Sequence, residues 1–267
     1  PAKGFDPAYI EASEIGIAID SLRNRGSEIR VPLRELAATL PLCGNLPLKA
    51  TGTFAMDSTA MHADGFSITT PSSTIGLSAM MGLIGGNPPV SATLNASIAN
   101  TDLRALAPAP AAEIVGMLPP YAPLLLTADI DGRMNSLRVN TLTAEIPRYI
   151  SLSASGAIAD YADFNRASGE LIIKGKLTDG NYIKPRLLDA KMQRQVNIPP
   201  IALAGHVNLR GGTADGTLRA TTGGGDVVLD AMWNNRATAY DIALDLNRFP
   251  IQTILPLSGL RDIDASA

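Results

Sequence analysis

Aromatic residues make up only 4% of this 267-residue chain, and Trp233 is its single tryptophan. A compact core of this size draws on large aromatic side chains for buried area. A long, thin apolar interior of Ala, Val, Ile and Leu does not need them. Charge is also sparse, at 18% of residues against about a quarter in an average soluble domain. Ser, Thr, Asn and Gly therefore supply much of the polar surface. The net charge is −3, with no basic run and no basic–aromatic stripe. Phosphate neutralisation needs clustered Lys and Arg, so no nucleic-acid partner is expected. The lone cysteine, Cys43, excludes an intrachain disulfide and a cysteine-based zinc site. It fits cytosol and periplasm equally. No apolar run reaches the roughly 20 residues that span a bilayer, and no signal-peptide pattern opens the chain. The ends, PAKGFDPAYI and RDIDASA, read as interior sequence. We expect a piece of a longer protein whose anchor or export signal lies elsewhere.

Catalytic signatures are equally scarce. His62 and His206 each sit in a strand-like context without a neighbouring Cys or His, which points away from a metal site or a general base. Asp129–Gly132 (DIDG) opens like a calcium loop but lacks the later acidic ligands, so it reads as a turn. The glycine-rich TTGGGD at 221–226 lacks the Lys-Ser/Thr of a phosphate loop and reads as a hairpin turn. No Gly-x-Ser-x-Gly elbow occurs. Cys43 reads as a small buried thiol, and the carboxylates show no acid–base pair by spacing. The expectation is a non-enzyme with no catalytic residue, no metal and no cofactor. A helix at 183–195 carries Lys184, Arg186, Lys191 and Arg194, either as a solvated face or as a surface for anionic headgroups.

What the chain does have is period-two alternation. Examples are Ile75-Gly-Leu77-Ser-Ala79, Leu94-Asn-Ala96-Ser-Ile98, Ile150-Ser-Leu152-Ser-Ala154, Val227-Val-Leu229-Asp-Ala231 and Ile242-Ala-Leu244-Asp-Leu246. One apolar and one polar face mark strands with one side buried. Turn signals punctuate them: Asp64-Gly65, Asp131-Gly132, Gly211-Gly212, Asp215-Gly216 and Gly223-Gly224-Gly225. The chain is therefore read as mostly β with short helices.

It also repeats itself. TIGLSAM (74–80), YISLSAS (149–155) and DVVLDAM (226–232) share a pattern whose central leucines, Leu77, Leu152 and Leu229, lie 75 and 77 residues apart. Upstream of each is a Pro-led apolar strand at Pro47, Pro123 and Pro200, spaced by 76 and 77. Downstream, SIANTDLRALAPA (97–109), KLTDGNYIKPRLLD (176–189) and DLNRFPIQTILP (245–256) run from strand into a helix-compatible segment. These landmarks give three repeats: 47–122, 123–199 and 200–267. A partial copy, 1–46, precedes them, with alternation at Ile15–Ile19 and Ile29–Val31 and a helix expected at 33–41 from Leu33, Leu36, Ala37 and Leu40. A hinge or helical plug is expected in the Pro-rich stretch 107–123, which holds Pro108, Pro110, Pro119, Pro120 and Pro123 around Ile114, Val115 and Leu118.

The runs FDPAYIEASEIGIAIDSLRNRGSEIRVPLRELA (5–37) and LPLKATGTFAMDSTAMHADGFSITTPSSTIGLSA (46–79) resemble stretches of TamB/AsmA-like envelope proteins of the Bacteroidetes type. The phrase TPSS stands here as Thr70-Pro71-Ser72-Ser73. IANTDLRALAP (98–108) is similar to the strand-to-helix step of AsmA-like repeats. The resemblance covers most of the chain as a pattern of strands and helices. It implies an elongated, curved β-sheet (a β-taco with an open apolar groove) in the periplasm, anchored in the inner membrane by a segment outside this chain. It further implies phospholipid transport between inner and outer membranes. For TamB itself it implies a role in assembling outer-membrane β-barrels, with a BamA/TamA-like barrel protein as partner. A β-sandwich or a β-solenoid is the alternative architecture. A glycan-binding solenoid would need aromatic rows, which the composition lacks.

An apolar strand face must be covered. An opposing sheet does so in a sandwich, and acyl chains do so in a groove, at about 0.8 kcal/mol per buried methylene. The candidate groove residues are Ile75, Leu77, Leu94, Ile98, Leu126, Ile130, Ile150, Leu152, Leu171, Ile173, Leu203, Val207, Val227, Leu229, Ile242 and Leu244. An ordinary dry core uses the same residues.

Overall fold

The computed structural model describes residues 11–107, 115–249 and 263–266. The chain is mostly β with short helices. It divides into two compact units, residues 1–134 and 135–267.

In the first unit, β1 (Ser13–Ile19) and β2 (Arg23–Arg25) both pair with β3 (Glu28–Leu40). Then β4 (Leu46–Met56), β5 (Ala60–Thr69), β6 (Thr74–Gly82), β7 (Pro89–Ile98) and β8 (Leu124–Arg133) add in chain order. The second unit comprises β9 (Ser136–Ile146), β10 (Ile150–Ala159), β11 (Ser168–Leu177), β12 (Ile201–Arg210), β13 (Thr213–Thr221), β14 (Asp226–Asn234), β15 (Ala239–Phe249) and β16 (Ile263–Ser266). Each of these also pairs antiparallel with its sequence neighbour. Among the described residues, no pairing joins the first and last strands of either unit. Neither sheet is a closed barrel, and antiparallel hairpins replace the coils of a solenoid.

Polar side chains fix the turns. Asp57 Oδ1 accepts from Thr59 N at 2.6 Å and Ala60 N at 2.9 Å, turning β4 into β5. Asn234 Oδ1 accepts from Arg236 N and Ala237 N, both at 3.1 Å, between β14 and β15. The two-residue link from β12 to β13 is Gly211-Gly212, with φ of 54° and 91°. A primed hairpin turn needs φ above zero at both positions, which glycine adopts without strain.

Among the described residues the 47–122 and 123–199 intervals hold four strands each, β4–β7 and β8–β11, and the 200–267 interval holds β12–β15 and then β16. Leu77, Leu152 and Leu229 stand in the third strand of their sets. The division between the compact units falls inside the 123–199 interval. Helix α1 (Asn100–Leu106) follows β7, and α2 (Lys184–Leu187) and α3 (Ala190–Gln195) follow β11.

Three expectations need correction. The helix at 33–41 is strand instead, the C-terminal half of β3 followed by a short 3-10 turn at Pro41–Cys43. A bulge explains the misreading. Leu33 pairs with Gly52 and Leu36 with Ala50, so β3 spends one extra residue there. A bulged strand puts residues three apart on one face, which imitates helical spacing. The expected helix at 183–195 is broken at Asp189, whose Oδ1 caps α3 through Met192 N at 2.8 Å. The side chains of Arg186 and Lys191 lie outside the described part. Third, Asp64-Gly65, Asp131-Gly132 and Asp215-Gly216 lie within β5, β8 and β13 instead of in turns. Gly65 sits in a bulge. At the other two, Asp occupies the polar face and Gly the apolar one. In the Pro-rich stretch, Pro108, Pro110 and Ile114 lie outside the described residues. Val115 is buried, and Pro119 O accepts from buried Asn100 Nδ2 at 3.1 Å.

Candidate functional site

Antiparallel partners share a face, so the register assembles side chains into rows across each sheet. In the second unit one row reads Leu142–Ala154–Ile173–Gly205–Leu218–Leu229–Leu244. The next reads Ala144–Leu152–Gly175–Leu203–Ala220–Val227–Leu246, and a third Val139–Gly156–Leu171–Val207–Gly216–Ala231–Ile242. None holds a polar side chain. The opposite face carries rows such as Thr143–Ser153–Lys174–Ala204–Arg219–Val228–Asp245. The first unit follows the same rule, with Leu36–Ala50–Ile68–Ile75–Ala96–Leu126 and Phe66–Leu77–Leu94–Ala128.

Every candidate groove residue stands on one of these two apolar faces. Ile98 pairs with Leu124, Ile130 with Ala92, and Ile150 with Ile146 and Leu177. These faces are not a dry core. Among the described residues no large side chain is fully buried, whereas Leu152 is 39% exposed, Leu244 38% and Ile242 59%. Among the described residues the buried apolar side chains are few and mostly small, such as Ala50, Ala96 and Ala128.

Over β11–β15 the apolar face is concave and encloses about 410 Å³, bordered by Ile173, Val207, Leu218, Leu229, Trp233 and Tyr240. Glycines on this face permit close strand approach. A Cβ on Gly205 would stand 2.4 Å from Thr217 O, and one on Gly216 2.6 Å from His206 O. Glycine inside a strand often marks such a close backbone approach.

Several face residues are missed by sequence reasoning. Trp233 pairs with Tyr240 at the end of the concavity. Leu218, Leu142 and Phe66 belong to the rows as well. Strict alternation around them is interrupted by Gly, Asp or a bulge, so pattern matching passes over them. Cross-strand register finds them.

Cys43 is buried, and burial pushes its thiol pKa up. His62 and His206 lie on the polar faces, opposite Ala55 and Met80, and Ile172 and Thr217 respectively. Thr70 and Ser73 of the TPSS turn donate to the buried carboxylate of Asp102 in α1, the serine at 2.6 Å. Ser73 Oγ also accepts from Ala99 N at 2.9 Å. That turn therefore docks the start of α1. Among the described residues no three His, Cys, Asp or Glu side chains gather to hold a metal ion, and no helix is long and apolar enough to cross a membrane.

Compared with family models, curated proteins and solved structures, the chain finds no match in any of the three.

Proposed function

We propose that this chain is a periplasmic segment of a TamB/AsmA-like envelope protein, and that its apolar sheet faces carry phospholipid acyl chains between the inner and outer membranes. The supporting observation is the unbroken set of apolar rows with large, partly exposed side chains, backed by a polar opposite face. Each methylene laid on such a face gains up to about 0.8 kcal/mol. Because each row succeeds the next without a polar interruption, displacement by one row exchanges equivalent contacts and costs little. The reading assigns no catalytic residue, metal or cofactor. Its test is photo-crosslinking in cells, with probes at Leu152 and Leu229 and a control at Ser153 on the polar face. Lipid adducts at the first two and none at the third are expected. Absence of lipid at all three positions sinks the reading.

A second reading, a scaffold for outer-membrane β-barrel assembly beside a BamA/TamA-like partner, draws on β1. This strand pairs with β3 alone among the described residues, and its Ile15 and Ile17 are 59% and 64% exposed. An edge of that kind templates strand addition. A probe at Ile17 that captures barrel precursor, while Leu152 captures no lipid, would favour it.

A further inference from the structure

At one end of the second unit the chain lies against its own apolar face. Where β9 and β11 finish and β10 and β12 begin, the register gives a last row, Ile146–Ile150–Leu177–Ile201. It stands two residues beyond the Leu152–Gly175–Leu203 row, on the same face. Residues 178–200 leave β11 at this row and return to it in β12. They form a 3-10 turn at Asn181–Ile183, then α2 and α3.

The contacts place this segment on the row. Gly180 is buried and has ordinary backbone angles, φ −88° and ψ −5°, so its missing side chain serves space and not conformation. An added Cβ would stand 2.4 Å from Ile198 Cγ2 and 2.9 Å from Leu177 Cδ2. The side chain of Ile198 therefore lies beside that of Leu177. Tyr182 meets Tyr149 edge-on, with ring centroids 5.0 Å apart. Thr178 N donates to Tyr149 O at 2.7 Å and roots the segment. Val196, between α3 and β12, is 6% exposed.

The segment is also a self-contained piece. α2 and α3 have four and six residues, well below the roughly 12–15 that a helix needs to hold without packing. They are tied to each other: Lys184 Nζ donates to Gln193 O at 3.4 Å, and Gln193 Nε2 to Leu188 O at 2.7 Å. Its two ends meet where Ile198 N donates to Asn181 Oδ1 at 3.3 Å. Among the described residues it adds no β-ladder to the sheet. Pieces without a ladder open at lower free energy than the strands they rest on.

Resting on the acyl-chain reading above, we propose that residues 178–200 are a lid that competes with lipid for the end of the apolar face. Ile198 holds the place beside Leu177 that an acyl chain takes once the lid is lifted. Both occupants bury apolar surface on the same row, so exchanging one for the other costs little. An empty face keeps the lid shut, and lipid arriving at this end opens it.

Hydrogen exchange tests this on the purified protein with and without lysophosphatidylcholine below its micelle threshold. The amides of Gln193 and Val196 donate to Asp189 O and Met192 O, both at 2.9 Å. With lipid at saturation they should lose protection, while the amides of β11 and β12 keep theirs. Gly180→Ala drives Ile198 off Leu177 and should tighten binding about threefold in equilibrium dialysis, since a lid shut most of the time lowers affinity by the fraction open. Ile198→Ser loosens the lid without a collision and should act alike, which keeps the test sound if the first variant folds poorly. Unchanged protection with lipid bound, or unchanged affinity in both variants, overturns the lid. Lipid capture by probes at Leu152 and Leu229 without those responses leaves the groove reading standing alone. If neither the unmodified protein nor either variant binds lipid, lid and groove fall together.

Discussion

Gly169 shows how finely single residues set the sheet. Its φ is +153°, and an added Cβ would stand 2.1 Å from Ala157 O. Gly169→Ala is expected to cost about 1–3 kcal/mol, seen as a lower urea midpoint. Gly76→Ala is the control. Its nearest contact would be an ordinary 3.6 Å to Asn95 O, and the expected change is within about 0.5 kcal/mol. Asp57 offers a second residue-scale check. Hydrogen bonds from the Thr59 hydroxyl, then from the Thr59 and Ala60 amides, lower its pKa from 3.8 to about 2. A lowered carboxylate pKa means the turn is favoured above the ordinary value and loses that support as pH falls through about 2. The carboxyl carbon shift of Asp57 should titrate near 2, and a midpoint near 3.8 would contradict the turn geometry. At this scale the sequence was misleading as often as helpful. Asp-Gly pairs look like turns, yet Asp131-Gly132 and Asp215-Gly216 are simply a polar residue on one face and a glycine on the other.

Among elements, the strands with strict alternation were legible and those with bulges were not. β6, β10 and β14 alternate cleanly because each pairs over its length with little or no slip. β3 carries a bulge between Leu33 and Leu36, which placed two leucines three residues apart and suggested a helix. Nothing local distinguishes those cases, since the extra residue matters only against the partner strand. The helix α1 depends on the TPSS turn in a way that spacing along the chain did not reveal. Asp102→Ala removes the acceptor shared by Thr70 and Ser73. The hydroxyls of Thr70, Ser73 and Thr101 lose an acceptor, and about 1–3 kcal/mol of local stability should go with it. Hydrogen exchange should quicken at the amides of α1 and at Ala99, while the amides of β12–β15 keep their protection. Uniform loss of protection across both regions would mean that the latch supports far more than α1.

For the whole chain, the sequence landmarks recur at nearly equal spacing and each central leucine stands in the third strand of its interval, while the division between the compact units falls inside the second interval. Face membership of the sixteen candidate residues followed from the same periodicity. The concavity did not, since the close strand approach at Gly205 and Gly216 that accompanies it shows only against neighbouring backbones. Leu218→Asp puts a charge at the centre of the apolar rows. It should abolish lipid capture by a probe at Leu229, whereas Ser153→Asp on the polar face should leave capture intact. Equal capture by both variants would show that the apolar rows are not the contact surface. The nearest-neighbour pairing of β9–β15 has one more consequence, for mechanics. Every strand is held chiefly by the strand before and the strand after it, so tension applied at β15 meets one row of hydrogen bonds at a time. Such a sheet peels instead of shearing. Stretched between two beads, it should lengthen in a ladder of low-force steps of about 4 nm, one strand and its turn each, and should wind back in the reverse order when the load is released.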